Sequence, residues 1–278
     1  MRVEPSEDEL IALTAAWSGD RFPGGRPRVP DDVLTRLASN AQAEHAWSIL
    51  DRNGFKFQYA TGWQETQPGK VIAGRALTAQ FLPLRPDYHQ TVITAGAAEG
   101  HLEGDRQNSW VIQSLTEGDV MVVDIFGKVV EGTVIGDNLG SAVAARTRTG
   151  AVIHGGVRDL VGLRELAGVN IYFRNSDPTP IRNVTLAGIN TPVLIGTVTV
   201  LPGDVILGTP GGITAIPPQF AEEICVAAEE ISHRDIFGKL RLTEGTYTSA
   251  EIDVGKWPAH IEADYEAWSL DNPRTTTS

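Results

Sequence analysis

The sequence predicts a mixed α/β protein, and three observations carry the expectation. Short runs rich in β-branched and other apolar residues recur through the chain, among them 71–82, 119–127, 151–154 and five more between 169 and 217. Segments with helical apolar spacing flank them at 7–17, 31–53, 84–100 and 219–240. Glycine, proline and asparagine punctuate the intervals. With 278 residues, 41% of them apolar and 21% charged, the chain has the make-up of a soluble globular protein with one large domain and additions.

Ser6-Glu7-Asp8-Glu9 opens the first helix as a capping box, serine at the N-cap and glutamate three residues on. Leu10, Ile11, Leu13, Thr14 and Trp17 give that helix one apolar side. Prolines and glycines in 21–30 break the chain. A second helix then starts at Asp31 and runs to Asn53-Gly54 on a stripe of Val33, Leu34, Leu37, Ala41, Ala46, Ile49 and Leu50. Residues 1–60 thus form an N-terminal helical extension whose expected job is packing, within a subunit or between subunits. A polar connector around 62–70 leads to the 71–82 strand, where the isolated Gly74 marks a bulge or a close backbone approach. Residues 84–100 read as a turn and a helix, and 119–127 as a central strand with Asp124 at its end. Between them HLEGDRQNSW (101–110) reads as a solvated loop. His101, Glu103 and Asp105 in it are close enough in sequence to raise a metal reading, and the loop could reach the rim of the main site.

SAVAARTRTG (141–150) reads as a short helix with Arg146 and Arg148 at its positive-charge-favouring end and Gly150 as its stop. AVIH (151–154) is a buried strand ended by Gly155-Gly156. The later strands at 169–173, 185–189, 192–200, 204–208 and 212–217 have too little helix between them for a run of βαβ units, which argues against a Rossmann sheet. A long amphipathic helix at 219–240 closes the domain 61–240. The tail 241–278 is polar, with Trp257, Pro258 and Trp268 as anchoring points and a disordered end at 272–278.

The formal charge of −12 argues against broad nucleic-acid binding, which needs a basic face. Cys225 is the only cysteine, so there is no intrachain disulfide and no multi-cysteine zinc site, and its apolar helical position makes it a packing residue. The N-terminal residues lack the basic start and apolar run of a signal peptide, and no stretch approaches a membrane span; a cytoplasmic location is the expectation.

Chemistry concentrates in 136–159, GDNLGSAVAARTRTGAVIHGGVRD. A loop, helix, strand, loop unit brings both ends of this stretch to one rim. The amides of Asn138, Leu139 and Gly140 at a helix N-terminus seat a carboxylate or phosphate. Arg158 adds a planar fork for the same anion, and Asp159 is a hard oxygen donor suited to magnesium or manganese. Together they suit a small oxo acid better than a nucleotide.

Asp137, a twenty-residue gap and Arg158-Asp159, preceded by GDVMVVD (118–124) and followed by LPGDVILG (201–208) and GGITAIP (211–217), resemble the RraA-like family over roughly residues 70 to 225. Gly74, Ala76 and Thr78 also match an early family strand of the form G-x-A-x-T. The family includes metal-dependent pyruvate aldolases acting on 4-hydroxy-4-methyl-2-oxoglutarate and 4-carboxy-4-hydroxy-2-oxoadipate. The resemblance implies a β/β/α swivelling-type fold, here with the N-terminal extension and a C-terminal helical tail, assembled as a homotrimer or homohexamer with sites between subunits. It implies that Arg158 and a divalent Mg2+ or Mn2+ hold the 2-oxo acid end. Asn138, Leu139 and Gly140 bind its carboxylate, and Asp159 holds the metal directly or through water. Asp137 orients a water that takes the proton from the C4 hydroxyl. Breaking the C3–C4 bond leaves a pyruvate enolate, so oxaloacetate decarboxylation is an expected side activity.

The chain departs from the family pattern in three places. The acid usual three positions after Asp159 is Gly162, the strand motif I-D-G is Ile153-His154-Gly155, and the second acid of P-G-D-x-x-x-x-D, after Pro202-Gly203-Asp204, is replaced around Thr209. His154 either completes its strand by bonding a neighbouring backbone or serves as a partner near the metal or a proton donor. The changes leave room for an atypical or sugar-acid-derived substrate. The family's ribonuclease-binding regulators offer a non-catalytic alternative. A nucleotide-type methyl-donor site is not supported, because no glycine-rich loop follows a first strand.

Overall fold

The computed structural model describes residues 1–102, 104 and 106–274. The first helix, α1 (Glu7–Leu13), carries the expected capping box: the Glu9 carboxylate accepts the Ser6 N–H at 2.7 Å while the Ser6 hydroxyl accepts the Glu9 N–H at 3.3 Å. The stripe expected as one helix from Asp31 is two, α2 (Asp31–Asn40) and α3 (Ala43–Arg52). Ala41 is extended and buried, and the His45 ring accepts the Gln42 N–H to start the second helix, so one apolar stripe turns a corner without glycine or proline.

The chain continues through β1 (Tyr59–Ala60), β2 (Gln64–Glu65), β3 (Ile72–Pro83), α4 (Pro86–Ala98), α5 (Gln107–Gln113), β4 (Asp119–Asp124) and β5 (Thr133–Ile135). Then come α6 (Asp137–Thr147), β6 (Gly150–Val157), α7 (Leu160–Arg164), β7 (Asn170–Ser176), β8 (Val184–Ile189) and a separate hairpin of β9 (Val193–Ile195) and β10 (Val198–Val200). Last are β11 (Val205–Thr209), β12 (Gly212–Ile216), α8 (Ala221–Thr243), α9 (Ser249–Ile252) and α10 (Ala259–Asp271).

One mixed sheet organises these elements in the order β1-β12-β11-β3-β4-β6-β7-β2, with β5 beside β6 and β8 beside β3. Its centre, β3-β4-β6-β7, is parallel, with helices α4 to α7 in the crossovers. The strands from 169 onward, with little helix between them, give no sign of this parallel core, which β3 to β7 build with their crossover helices. Antiparallel strands on both sides, β11-β12 and β2, keep it from being a doubly wound sheet. Gly74 is where the sequence placed a close approach: a Cβ there would lie 2.8 Å from the Gly118 carbonyl oxygen.

Alternation along the strands sends side chains to two cores. Leu77, Met121, Val123 and Ile153 face Val92, Trp110, Val143 and Leu163 of the crossover helices. Ala76, Val120, Val122 and Val152 face the β9-β10 hairpin. A third core joins α2, α3 and the first half of α8 to β11 and β12, and contains Cys225, whose thiol burial pushes up to about 12. A thiol so held stays protonated, as a packing residue should.

The N-terminal extension is stitched into the domain. Arg26 donates two hydrogen bonds to Asp119, at 2.9 and 2.8 Å, in a buried pair at the start of β4, and its guanidinium lies 4.4 Å from the Phe22 ring centroid. The expected loop at 101–110 is shorter than predicted. Its second half is α5, Trp110 is fully buried, and His101 stacks on it at 5.0 Å. Glu103 and Asp105, the acids of the metal reading, lie outside the described residues. The tail anchors through the expected tryptophans: Trp257, with Ile261 and Tyr265, makes a fourth core with Phe237 of α8, and Trp268 packs against it. The end at 275–278 lies outside the described residues. No helix among those described is long and apolar enough to cross a membrane.

Candidate active site

β5 and β6 pair in parallel, Thr133 with Gly156 and Ile135 with Val157, so their ends deliver 136–137 and 158–159 side by side. The Arg158 N–H donates to the Ile135 carbonyl at 3.0 Å. Gly136 lies between the two ends. A Cβ there would stand 2.3 Å from Asp159 Oδ2 and 3.0 Å from Arg158 Cγ. Its φ of −118° suits any residue, so space rather than backbone strain requires glycine. Ile135 and Gly136 position the site without contributing a functional side chain, and only the bracketing glycine signals this in the sequence.

β6 does not stop at Gly155-Gly156 but runs through them to Val157. The two glycines are needed for close packing. A Cβ on Gly155 would meet Ile125 Cγ2 at 2.1 Å, and one on Gly156 would meet the Val129 carbonyl at 2.8 Å. The helix between the two ends likewise starts four residues earlier than expected, at Asp137, and ends at Thr147 with Arg148 left-handed (φ 56°). Gly150 instead begins β6.

The first turn of α6 treats its three expected anion-binding amides differently. The Asn138 N–H donates to the Asp137 carboxylate at 2.7 Å, and the Gly140 N–H closes the turn on the Gly136 carbonyl at 2.8 Å. Gly140 is also pressed against α7, since a Cβ there would lie 2.3 Å from Leu163 Cδ2. The Leu139 N–H has no partner among the described residues.

Asp159 adopts a left-handed conformation (φ 53°, ψ 43°) at the N-cap of α7, one of few backbone states in which Asp and Asn are favoured over other side chains. Arg158 and Asp159 form only a loose pair, Nε to Oδ2 at 3.6 Å, with side chains 43% and 47% exposed. Gly162 stands against Asp137: a Cβ there would come within 2.7 Å of Asp137 Cβ. The glycine found in place of an acid therefore gives Asp137 its room. Asp137, Arg158 and Asp159 are brought to one open rim by these contacts.

His154 lies elsewhere. It follows Val152 on the hairpin side of the sheet, where its Nδ1 is 3.0 Å from Asp124 Oδ1 and 3.2 Å from the Leu194 carbonyl. Asp124 is otherwise held by the Gln80 amide at 3.0 Å and the Phe126 N–H at 2.8 Å. The histidine thus bonds a neighbouring backbone, the first of its two sequence readings, and an acid as well. Among the described residues no group of three or more His, Cys, Asp or Glu is placed to hold a metal ion. Asp204 is buried, accepts the Leu201 N–H at 2.8 Å, and is pushed up to about 7 by the loss of water. Thr209, where the second acid of that motif was expected, is buried too.

The chain is thus a mixed sheet with a parallel centre and helical additions at both ends, carrying Asp137, Arg158 and Asp159 on an exposed rim. The RraA-like (Aldolase/RraA) family model matches residues 38–214, and the chain belongs to that family. A protein of Halalkalibacterium halodurans with the provisional name 4-hydroxy-4-methyl-2-oxoglutarate aldolase is 28% identical over 113 residues, 41% of this chain and 53% of that protein. The chain thus spans about half the length of this curated relative. Streptomyces coelicolor RraAS2, described as an unusual member of the RNase ES inhibitor RraA protein family, superposes with a TM-score of 0.64 at 25% identity, covering 79% of this chain and 100% of that one. An uncharacterized protein from Pseudomonas syringae pv. tomato shares the fold, with a TM-score of 0.66 at 19% identity over 84% of this chain and 99% of its own.

Proposed function

We propose that the chain is a divalent-metal-dependent carbon–carbon lyase that cleaves a 4-hydroxy-2-oxo acid to pyruvate and a second oxo compound. The observation that carries this reading is the convergence of Asp137, Arg158 and Asp159 around Gly136. An acid-base group, a guanidinium fork and a free hard carboxylate on one rim match the needs of enolate chemistry. The likeness to the Halalkalibacterium halodurans protein supports the same class.

Asp159 would hold the ion. One carboxylate without a protein cage fits Mg2+ or Mn2+, because magnesium keeps most of its waters and takes one or two carboxylates together with substrate oxygens. When bound, such an ion supplies electrophilic stabilisation of the developing enolate. The chain's own groups do the rest. Arg158 binds the 2-oxo acid end, and the Leu139 amide, with the partial positive charge of the α6 N-terminus, receives its carboxylate. Asp137 takes the proton of the C4 hydroxyl through a water. The C3–C4 electron pair then moves into the enolate, whose charge Arg158 opposes, and protonation at C3 yields pyruvate. Loss of carbon dioxide from oxaloacetate generates the same enolate, so decarboxylation is a side activity.

Such stabilisation is strongest where water is excluded. The rim of one chain is open, and Val161 beside it is 76% exposed, which supports a homotrimer or homohexamer in which a neighbouring subunit covers the site. A coupled lactate dehydrogenase assay tests the reading, with oxaloacetate and 4-hydroxy-2-oxo acids, sugar-acid-derived ones included, as substrates. Metal-dependent pyruvate release that chelator removes and Asp159→Asn abolishes is the expected result; asparagine keeps the left-handed backbone. Release that ignores both chelator and the substitution sinks it. The likeness to Streptomyces coelicolor RraAS2 favours a second reading, a ribonuclease-binding regulator without catalysis. No pyruvate from any substrate, together with saturable binding to a ribonuclease of the RNase E type, establishes that alternative.

A further inference from the structure

We propose that the cavity enclosed by the end of β3, the starts of α4 and α5 and the segment before β8 is a binding site for a small organic carboxylate. Its volume is about 370 Å³, within the range of small-molecule sites, and none of Asp137, Arg158 or Asp159 lines it. Phe81 and Ile181 give it an apolar floor.

A buried donor without an acceptor is the first observation. Gln107 lines the cavity and is only 3% exposed. Its Oε1 accepts the Leu186 N–H at 2.7 Å, which fixes the amide, because the flipped arrangement would set one donor against another. The Nε2 is then buried with no partner among the described residues. An unpaired buried N–H is costly, and a small turn of the Gln107 side chain toward an acceptor in the cavity it lines would remove that cost.

The charge of the wall is the second. His89, its Nδ1 bonded to the Thr185 hydroxyl at 2.8 Å, and Arg182 join Gln107 on the lining, and no carboxylate does. Arg182 is held by its backbone, its N–H donating to the Glu131 carbonyl at 2.9 Å and its carbonyl accepting from Lys128 at 2.9 Å. Its guanidinium makes no ion pair among the described residues, and the nearby Glu131 carboxylate is taken up by the Asn183 amide at 2.7 Å and by Lys128 at 3.5 Å. In a chain of net charge −12, a lining with one cation and no acid selects an anion. The planar fork favours a carboxylate, and the apolar floor calls for a carbon body that a free inorganic anion lacks. Asn108, also on the lining, donates to the Val134 carbonyl at 2.8 Å, so the cavity abuts β5, the strand that leads to Gly136.

The site is tested by binding rather than turnover, so it stands or falls apart from the lyase reading. The full chain is titrated with 3-methylbutanoate, its uncharged amide 3-methylbutanamide and inorganic phosphate, followed by calorimetry and ligand-observed NMR. The acid is expected to bind saturably, one per chain, with the amide and phosphate each weaker by about tenfold or more. Arg182→Ala, a change at an exposed position, weakens the acid by about tenfold or more with an unaltered melting temperature, and Arg158→Ala leaves it unchanged. No saturable binding of the acid, equal binding of acid and amide, phosphate binding as tight as the acid, or a loss caused by Arg158→Ala and not by Arg182→Ala overturns the proposal.

Discussion

Two arginine–aspartate pairs in this chain make opposite use of the same groups. Arg26 and Asp119, 93 residues apart in sequence, meet in two hydrogen bonds of 2.9 and 2.8 Å with side chains 6% and 0% exposed. Arg158 and Asp159 are neighbours in sequence, half exposed, and touch only at 3.6 Å. In the first pair every oxygen of the carboxylate is occupied, because Thr116 also donates its N–H to Asp119 at 2.9 Å. In the second neither the fork nor the carboxylate makes a hydrogen bond among the described residues beyond that loose contact. The buried pair consumes its valences against itself, and the exposed pair is held apart so that it cannot.

Breaking the first pair should have the larger effect on folding. Arg26→Ala strands a buried Asp119 and is expected to cost about 3–5 kcal/mol of stability, read as a fall in the urea midpoint at unchanged slope. A loss below about 1 kcal/mol would mean that water replaces the guanidinium. The second pair should answer in catalysis instead. Arg158→Lys keeps the charge and removes the fork, so kcat/KM for pyruvate release falls by about 10²–10³-fold, ~2.7–4 kcal/mol, while stability moves by less than about 0.5 kcal/mol. Equal losses in both quantities would erase the distinction between the pairs.

The comparison sharpens at the residue that holds the exposed pair apart. Gly136→Ala puts a methyl 2.3 Å from Asp159 Oδ2, so the half-exposed Asp159 and Arg158 side chains must shift; stability is expected to move by less than about 1 kcal/mol while activity falls. A fully active alanine variant would show that Asp159 is free to move. The smallest effect concerns Asp204, whose carboxyl is pushed up to about 7 by burial. A folded value above the ordinary one near 4 means that the folded state prefers the proton. Its contribution is therefore full below about pH 4 and lost as the pH rises through about 7. Asp204→Asn should melt a few degrees above the wild type at about pH 8 and together with it at about pH 4, by calorimetry. A difference independent of pH would place the charge elsewhere.

How far the sequence reached follows from the same contrast. The meeting of Asp137, Arg158 and Asp159 on one rim is legible because they fall within one short stretch whose strand, helix and turn signals are local. Ser6 and Glu9, Gly74 and the long closing helix were legible for the same reason. The Arg26–Asp119 clamp, the Gly162–Asp137 contact and the unpaired Gln107 depend on which strands lie side by side, and no local period records that. A glycine is a poor stop signal here, because Gly150, Gly155 and Gly156 let neighbouring backbone come close, and β6 therefore runs through them. The fate of the three amides at α6 also lay beyond the sequence, since it turns on how the Asp137 side chain folds back onto Asn138.

Helix α8 belongs to two cores at once. Its first half, with Ile224, Cys225 and Ala228, is buried against α2 and α3, and its second half, with His233 and Phe237, holds the aromatic cluster of Trp257 and Tyr265. His233 is bonded to the Tyr265 hydroxyl at 2.7 Å and to the Asn272 carbonyl at 2.7 Å, and Arg234 and Arg241 pair with Glu262 and Asp264 of α10. The tail thus packs chiefly on α8 among the described residues, and a unit held through one helix is expected to open before the sheet does. Amide exchange in α9 and α10 would then run ahead of that in β4 and β6, and a protease working under native conditions would find its first cut beyond the middle of α8.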